Sequence, residues 1–267
     1  MPSVEIRNAI YVIMLFFLLI IIGPIFYPYD IMFSDLSLRL QPPSFAHPMG
    51  MDASGNDVLR AVLSGGQTSL WIALTTVTLC SIVGVSLGMI AATSNSLLDT
   101  IIMRTVDVFM TFPGILPAMV VASLLEPSAF SLVLAMSLTG WTGSTRLIRS
   151  QAQSMMQKDF IQAAHALGCS KTHLIIKHLF PNCLTPFLIH ATFSLSSVIL
   201  TESSLTFLGF GPQEGAPSWG ALLNEGRSVL MEAPHLSMIP GGMIMFFVLY
   251  LNFLGDGLRD YLDPKHK

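Results

Sequence analysis

The chain has 267 residues, of which 52% are hydrophobic and 11% charged, with a mean hydropathy of +0.66. A soluble domain carries about 25% charged residues, so this chain has too little polar surface to close around one aqueous globule, and lipid is its expected solvent. The net charge of −3 gives no basic surface for nucleic acid, and Cys80, Cys169 and Cys183 show neither zinc-site nor disulfide spacing.

Crossing a bilayer core takes about 20 mainly apolar residues. Residues 9–26 form the first such run. Arg7 ahead of it gives a superficial likeness to a cleaved signal. The run exceeds a signal core, however, and Tyr27-Pro28-Tyr29-Asp30 follows in place of a small-residue cleavage site. A retained transmembrane helix is therefore expected. Residues 28–67, with Pro42-Pro43 and Gly65-Gly66, form an outer segment. Residues 69–93 are an uncharged second span whose Gly84, Ser86 and Gly88 permit close helix approach, either to a partner subunit or within the chain.

Residues 98–125 form a third span, with Arg104 and Asp107 near its start and Pro113 and Pro117 expected to kink or break it. Asp107 stands one helical turn from Arg104 and is expected to pair with it. Residues 128–150 are the fourth span, ending near Arg146 and Arg149. Residues 184–205 are the fifth, interrupted by Pro186, with His190 inside and Glu202 late. A Gly/Pro-rich outer segment, 206–238, precedes a short sixth span at 239–254. The expected fold is all-α: a polytopic membrane protein with six transmembrane helices. The first helix falls in 1–27, a five-helix core in 68–260 and a tail in 261–267.

Basic residues set the orientation. With the N-terminus inside, Arg7, Arg104, Arg146, Arg149, Lys158, Lys171, Lys177, Arg259, Lys265 and Lys267 fall on the inner side, against Arg39, Arg60 and Arg227 outside. Both termini are expected in the cytoplasm. Asp30, Asp35, Asp52, Asp57, Glu126, Glu214, Glu225 and Glu232 collect on the outer side. Asp107 and Glu202 are the deepest acids. A charge at such depth costs several kcal/mol, about 2.5–3.5 on insertion scales, and marks a functional candidate; both are candidates for the translocation pathway. His190 reads as a hydrogen-bonded structural residue.

The inner loop 151–183 is too polar to span, yet Phe160, Ala163, Ala164 and Leu167 recur at helical spacing. Gly168 is a natural helix stop, and Ser170 can cap a second short helix carrying Leu174, Ile175 and Leu179. Pro181 is expected to end it. The physics leaves two uses for the apolar stripe of this bent pair: packing against the chain's own helices or the lipid interface, or docking a partner protein.

The run Gln162-Ala163-Ala164, then Gly168, then Pro181 resembles the EAA loop of the permease subunits of bacterial ABC importers, with glutamine where the motif has glutamate. The family implies that Phe160, Gln162, Ala163, Ala164, Leu167, Gly168, Lys171, Leu174, Ile175 and Pro181 couple the permease to an ATPase subunit. Residues His47-Pro48-Met49-Gly50-Met51-Asp52 and Gly55-Asn56-Asp57-Val58-Leu59 are similar to the signature after the first helix in the dipeptide, oligopeptide and nickel branch, with Asn56 in place of its usual arginine. Arg104-Thr105-Val106-Asp107 with Phe112-Pro113 resembles the third helix of that branch. Phe207-Leu208-Gly209-Phe210-Gly211 with Pro217-Ser218-Trp219-Gly220 resembles its outer loop. Gly255-Asp256-Gly257-Leu258-Arg259-Asp260 and Leu262-Asp263-Pro264 resemble its ending.

What this resemblance implies is the ABC importer permease fold in a bacterial inner membrane. It further implies a heterodimer with a homologous permease, two ATPase subunits that bind ATP and Mg, and an extracytoplasmic binding protein delivering peptide, nickel or a metal–chelator complex. The chain itself holds no P-loop, since Gly168-Cys169-Ser170-Lys171-Thr172 lacks the required glycine and spacing. No enzymatic activity, metal site or cofactor of its own is expected. An ion-gradient-driven secondary transporter using Asp107 and Glu202 is the alternative.

Overall fold

The apolar runs become helices in the computed structural model, which describes residues 4–28, 35–212 and 217–262, with the side chains at 4–9 and 165 outside that description. Expectations that involve Asp30, Glu214, the Asp263-Pro264 ending, Lys265 and Lys267 fall outside the described residues. The helices are α1 (Val4–Phe26), α2 (Val58–Thr93), α3 (Ser96–Thr111), α4 (Leu116–Leu124), α5 (Ala129–Met156), α6 (Asp159–Ala166), α7 (Lys171–Leu174), α8 (Phe180–Leu205), α9 (Trp219–Ser228) and α10 (His235–Leu262). The described residues contain no β-strand, only an isolated bridge between Met51 and Asp57.

α1, α2, the α3–α4 pair, α5, α8 and α10 occupy the six predicted positions. By length and apolarity α2, the continuous stretch Lys171–Phe210 and α10 qualify as membrane spans, and the α3–α4 pair makes a fourth if counted as one. The apolar part of α1, Ile10–Phe26, is shorter. The third run is broken as its prolines require: α3 and α4 meet at an 86° bend, with Pro117 in the first turn of α4, where its missing N–H costs nothing.

Two boundaries differ from the expectation. α2 starts at Val58, well inside the stretch read as an outer segment, because the Asp57 carboxylate accepts from Leu59 N–H at 2.8 Å and caps a helix there. Pro181 does not stop the chain. A π-turn over Ile175–Leu179 precedes it, and Phe180 N–H donates to Ile175 O, five residues back. The widened turn absorbs the proline at the start of α8, so a helical stretch runs over Lys171–Phe210, kinked near its far end where Gly209 takes φ +95°. At 1.5 Å per residue those 40 residues span about 60 Å, twice a bilayer core of about 30 Å. One end must stand clear of the lipid.

α2 is the central element, packed most extensively on α5 and also against α8, α1 and α9. The α2–α5 crossing explains the small residues. A Cβ on Gly84 would lie 2.5 Å from Ser144 Cβ, and one on Gly88 would lie 2.8 Å from Ile148 Cβ and Thr145 O. Both glycines therefore serve packing within this chain, while Ser86 is exposed. The largest core gathers α1, α2, α8, α9 and α10 around Trp219, Phe16 and Phe247. Trp219 is fully buried with its indole N–H on Val62 O at 2.9 Å. A second core joins α2, α4 and α5, and a third seats the inner loop on α2, α5 and α8.

Candidate functional site

The loop after α5 folds as a bent helix pair. Asp159 lies in the first turn of α6, where the N-terminal partial charge favours an acid. Gly168 takes φ +80° and ends that helix. Cys169 N–H reaches back to Ala164 O at 3.2 Å, the closure made when a left-handed residue stops a helix. Ser170 then accepts from His173 N–H at 3.3 Å and caps α7. A Cβ at Gly168 would meet nothing within 4 Å, so the backbone conformation, not space, is what requires glycine there.

The two faces of the hairpin have separate fates. Ile161, Leu174 and Leu179 are buried against Met89 and Ala92 of α2, Ile148 and Ala152 of α5, and Cys183 of α8. Phe160 and Leu167 point outward, 49% and 87% exposed. Gln162, Ala163, Lys171 and Pro181 are exposed as well, and Ala164 and Ile175 are half-buried. Gln162 Nε2 lies 3.4 Å from Gln157 O. The apolar stripe is thus divided: one set of residues packs against the chain's own helices and another stays uncovered. The inward anchor Ile161 was not singled out in the sequence, although its spacing to Ala164 and His165 carries the helical period. A cleft of about 460 Å3 opens between the hairpin and the ends of α2 and α5, lined by Thr93, Met156, Gln162 and Lys171 among others.

Above the hairpin, α3 and α5 are tied by two ion pairs. Arg146 Nη2 donates to Asp107 Oδ1 at 2.7 Å, with both side chains half exposed. Arg149 grips Asp99 bidentately through Nε and Nη2, the latter at 2.6 Å from Oδ2. The partner of Asp107 is thus Arg146 of α5 and not Arg104, its neighbour on α3. The reason is geometric. Asp99 and Asp107 lie about two turns apart on α3, and Arg146 and Arg149 one turn apart on the antiparallel α5, so tertiary packing matches them in reverse order. Arg104 remains on the exposed side of α3.

Glu202 is fully buried. Thr206 Oγ1 donates to its Oε1 at 3.0 Å and Ser203 Oγ to its Oε2 at 3.3 Å. The hydroxyls of Ser69 on α2 and Ser218 ahead of α9 also bond to it. Ser69 Oγ in turn accepts from Trp219 N–H at 3.2 Å. In this arrangement Glu202 offers no surface to a pathway. Its carboxylate is a knot joining α8, α2 and the cap of α9. His190 lies 3.4 Å from Ser194 Oγ on the same helix, a local contact of the structural kind.

A family model described as the binding-protein-dependent transport system inner membrane component matches residues 84–267. A putative peptide transport system permease protein of Brucella suis is 38% identical over 234 residues, which is 88% of this chain and 79% of that protein. The dipeptide transport system permease protein DppC of Alkalihalophilus pseudofirmus is 36% identical over 252 residues, 94% of this chain and 83% of that one. Among solved structures, a chain of the MetNI methionine ABC transporter in inward-facing conformations shares the fold, with a TM-score of 0.64 at 14% identity, over 77% of this chain and 98% of that chain. A helical membrane bundle whose sequence matches over most of its length is accounted for by one assignment: the chain belongs to the family of binding-protein-dependent transport system inner membrane components, the permeases of ABC importers.

Proposed function

We propose that the chain forms half of a translocation pathway for peptides, paired with a homologous permease and driven by two ATPase subunits that dock on the hairpin 159–181. The observation that carries this reading is the outward face of that hairpin, where Leu167 and Phe160 stand exposed beside a glycine-made elbow. Exposed apolar side chains on a segment clear of the lipid need a partner. ATP and Mg would sit in the ATPase subunits. An extracytoplasmic binding protein would deliver the cargo to the opposite end, with both termini of this chain in the cytoplasm.

The path of force follows the covalent structure. The helical stretch over Lys171–Phe210 leads from the elbow through the bundle to the knot at Glu202. Movement of the hairpin would tilt that stretch, and ATP would bias the two orientations by binding one of them more tightly. Peptide is the cargo class we assign, since both relatives described above carry peptide or dipeptide transport in their names. A nickel or metal–chelator cargo draws no support from them. Nor does an ion-gradient-driven mechanism gain support, with Asp107 ion-paired and Glu202 sealed inside the subunit.

Gly168→Val tests the docking. A β-branched residue at φ +80° is strained by about 1–2 kcal/mol, while its Cβ would meet nothing within 4 Å. The variant should insert in the membrane at normal levels, lose co-purification with the ATPase and abolish ATP-driven uptake. Normal co-purification together with normal uptake would refute the docking role.

A further inference from the structure

The cleft of about 460 Å3 beside the hairpin is far larger than the roughly 10–15 Å3 that one water needs. Thr93, the last residue of α2, and Met156, the last of α5, both line it. The uncharged stretch of α2 stops there, so the cleft opens at the edge of the apolar layer. Ile161, Leu174, Ile175 and Leu179 make most of the remaining wall. These side chains belong to the inward face of the hairpin. Phe160 and Leu167, on the outward face, are not among the described lining residues. The cleft is therefore a different surface from the one offered to an ATPase.

Three polar residues interrupt this apolar wall: Thr93, Gln162 and Lys171. The Thr93 hydroxyl donates to Met89 O at 2.8 Å. Lys171 is exposed and forms no ion pair among the described residues, and its ammonium carries three donors and no acceptor. Around it, the segment 157–183 holds Lys158 and Lys177 against a single acid, Asp159, all three exposed. The next acid, Asp99 of α3, is held by Arg149. An apolar cleft at the membrane edge, with an ammonium group in its wall and a surplus of positive charge around it, suits an amphiphile with a hydrocarbon tail and an anionic head. Basic residues beside membrane-spanning helices draw anionic lipid in this way.

We propose that the cleft seats an acyl chain of one anionic phospholipid from the leaflet on the hairpin side, with the phosphate on Lys171 and the Gln162 amide. The acyl chain lies along Ile161, Leu174 and Leu179 and braces the hairpin against the ends of α2 and α5. The hydrocarbon wall and the contact with the bilayer favour a lipid over an acidic protein segment, which would bring backbone polar groups into a wall with few partners for them. A zwitterionic lipid offers the same tail but no net charge to the lysines. The seat needs the chain in its membrane and not the docked ATPase.

The test uses the full chain purified in detergent, delipidated, and titrated separately with dioleoylphosphatidylglycerol and dioleoylphosphatidylcholine in mixed micelles. Bound lipid is counted by native mass spectrometry and Tm is followed in parallel. One phosphatidylglycerol per chain is expected, with a raised Tm and a preference of about fivefold over phosphatidylcholine, the factor that one basic residue carries at an anionic surface. Lys171→Gln should weaken phosphatidylglycerol binding by about that factor and leave phosphatidylcholine binding unchanged. Thr93→Trp, which puts an indole into the cleft, should weaken both. Arg60→Gln, which removes a charge from the opposite end of α2, should change neither. Equal binding of the two lipids by the unaltered chain, or phosphatidylglycerol binding unchanged in Lys171→Gln, overturns the proposal. So does a Tm that rises as much with inorganic phosphate, which would mark an anion site with no use for the tail. Because the isolated chain is titrated, failure here is distinct from failure of ATPase docking, which co-purification of Gly168→Val reads.

Discussion

Glu202, sealed from solvent with hydroxyls on every side, should tolerate glutamine far better than alanine. Alanine leaves Thr206, Ser203 and the Ser69–Ser218 pair without their acceptor, at about 1–3 kcal/mol for each group that finds no substitute. Glutamine keeps the length and one acceptor oxygen. Thermal unfolding in detergent should show a large loss for Glu202→Ala and a small one for Glu202→Gln; equal losses would remove the knot from the account. The two arginines of α5 should also differ. The Arg146–Asp107 pair is half exposed and single-contact, so Arg146→Ala should cost about 0.2–1 kcal/mol. Arg149 is bidentate and better shielded, and Arg149→Ala should cost more than that range. A stability series that ranks Arg146 above Arg149 would contradict the geometry. The acids and arginines are legible in the sequence, but their pairing is not. Asp107 has an arginine one turn away on its own helix, and only the antiparallel crossing of α3 and α5 puts a different one within 2.7 Å.

At the scale of elements, the α2–α5 crossing depends on two missing side chains. Gly84→Ala alone places a methyl carbon 2.5 Å from Ser144 Cβ and 2.9 Å from Trp141 O. Those neighbours are a stiff Cβ and a backbone carbonyl, so the helices must part, at about 1–3 kcal/mol or more. Lower yield and Tm are expected, with partial recovery in the double variant Gly84→Ala/Ser144→Gly. If Gly84→Ala lost only assembly with a second permease and kept its monomer stability, the glycine would face a partner instead. The sequence left both possibilities open, because helical spacing shows that small residues share a face but not what covers that face. The hairpin shows the same split. Gly168, Ser170 and the helical period around them predict the elbow, since turn and cap chemistry is local. The π-turn that carries the chain past Pro181 depends on how Leu174 and Leu179 seat against α2 and α5, which no local pattern encodes.

At the scale of the whole molecule, the charge distribution makes a checkable statement about orientation. Leu167 and Phe45 are both highly exposed and lie on stretches assigned to opposite sides of the bilayer. In spheroplasts, a membrane-impermeant maleimide should label Phe45→Cys and spare Leu167→Cys until the membrane is permeabilised. The reverse pattern would invert the topology and place the hairpin beyond reach of any cytoplasmic ATPase. Composition and residue order alone determined the solvent, the helical class, the positions of the apolar runs, the break at Pro113–Pro117 and the elbow at Gly168, because hydropathy, proline geometry and helix caps act over a few residues. The tertiary structure decided the rest. It chose which arginine meets Asp107, which helix covers Gly84, that Glu202 is interior, and that Asp52 and Glu225 line one cavity from segments far apart in the chain. Those outcomes depend on helix crossings, and a crossing is fixed by the combined packing of many side chains that no single stretch of sequence contains.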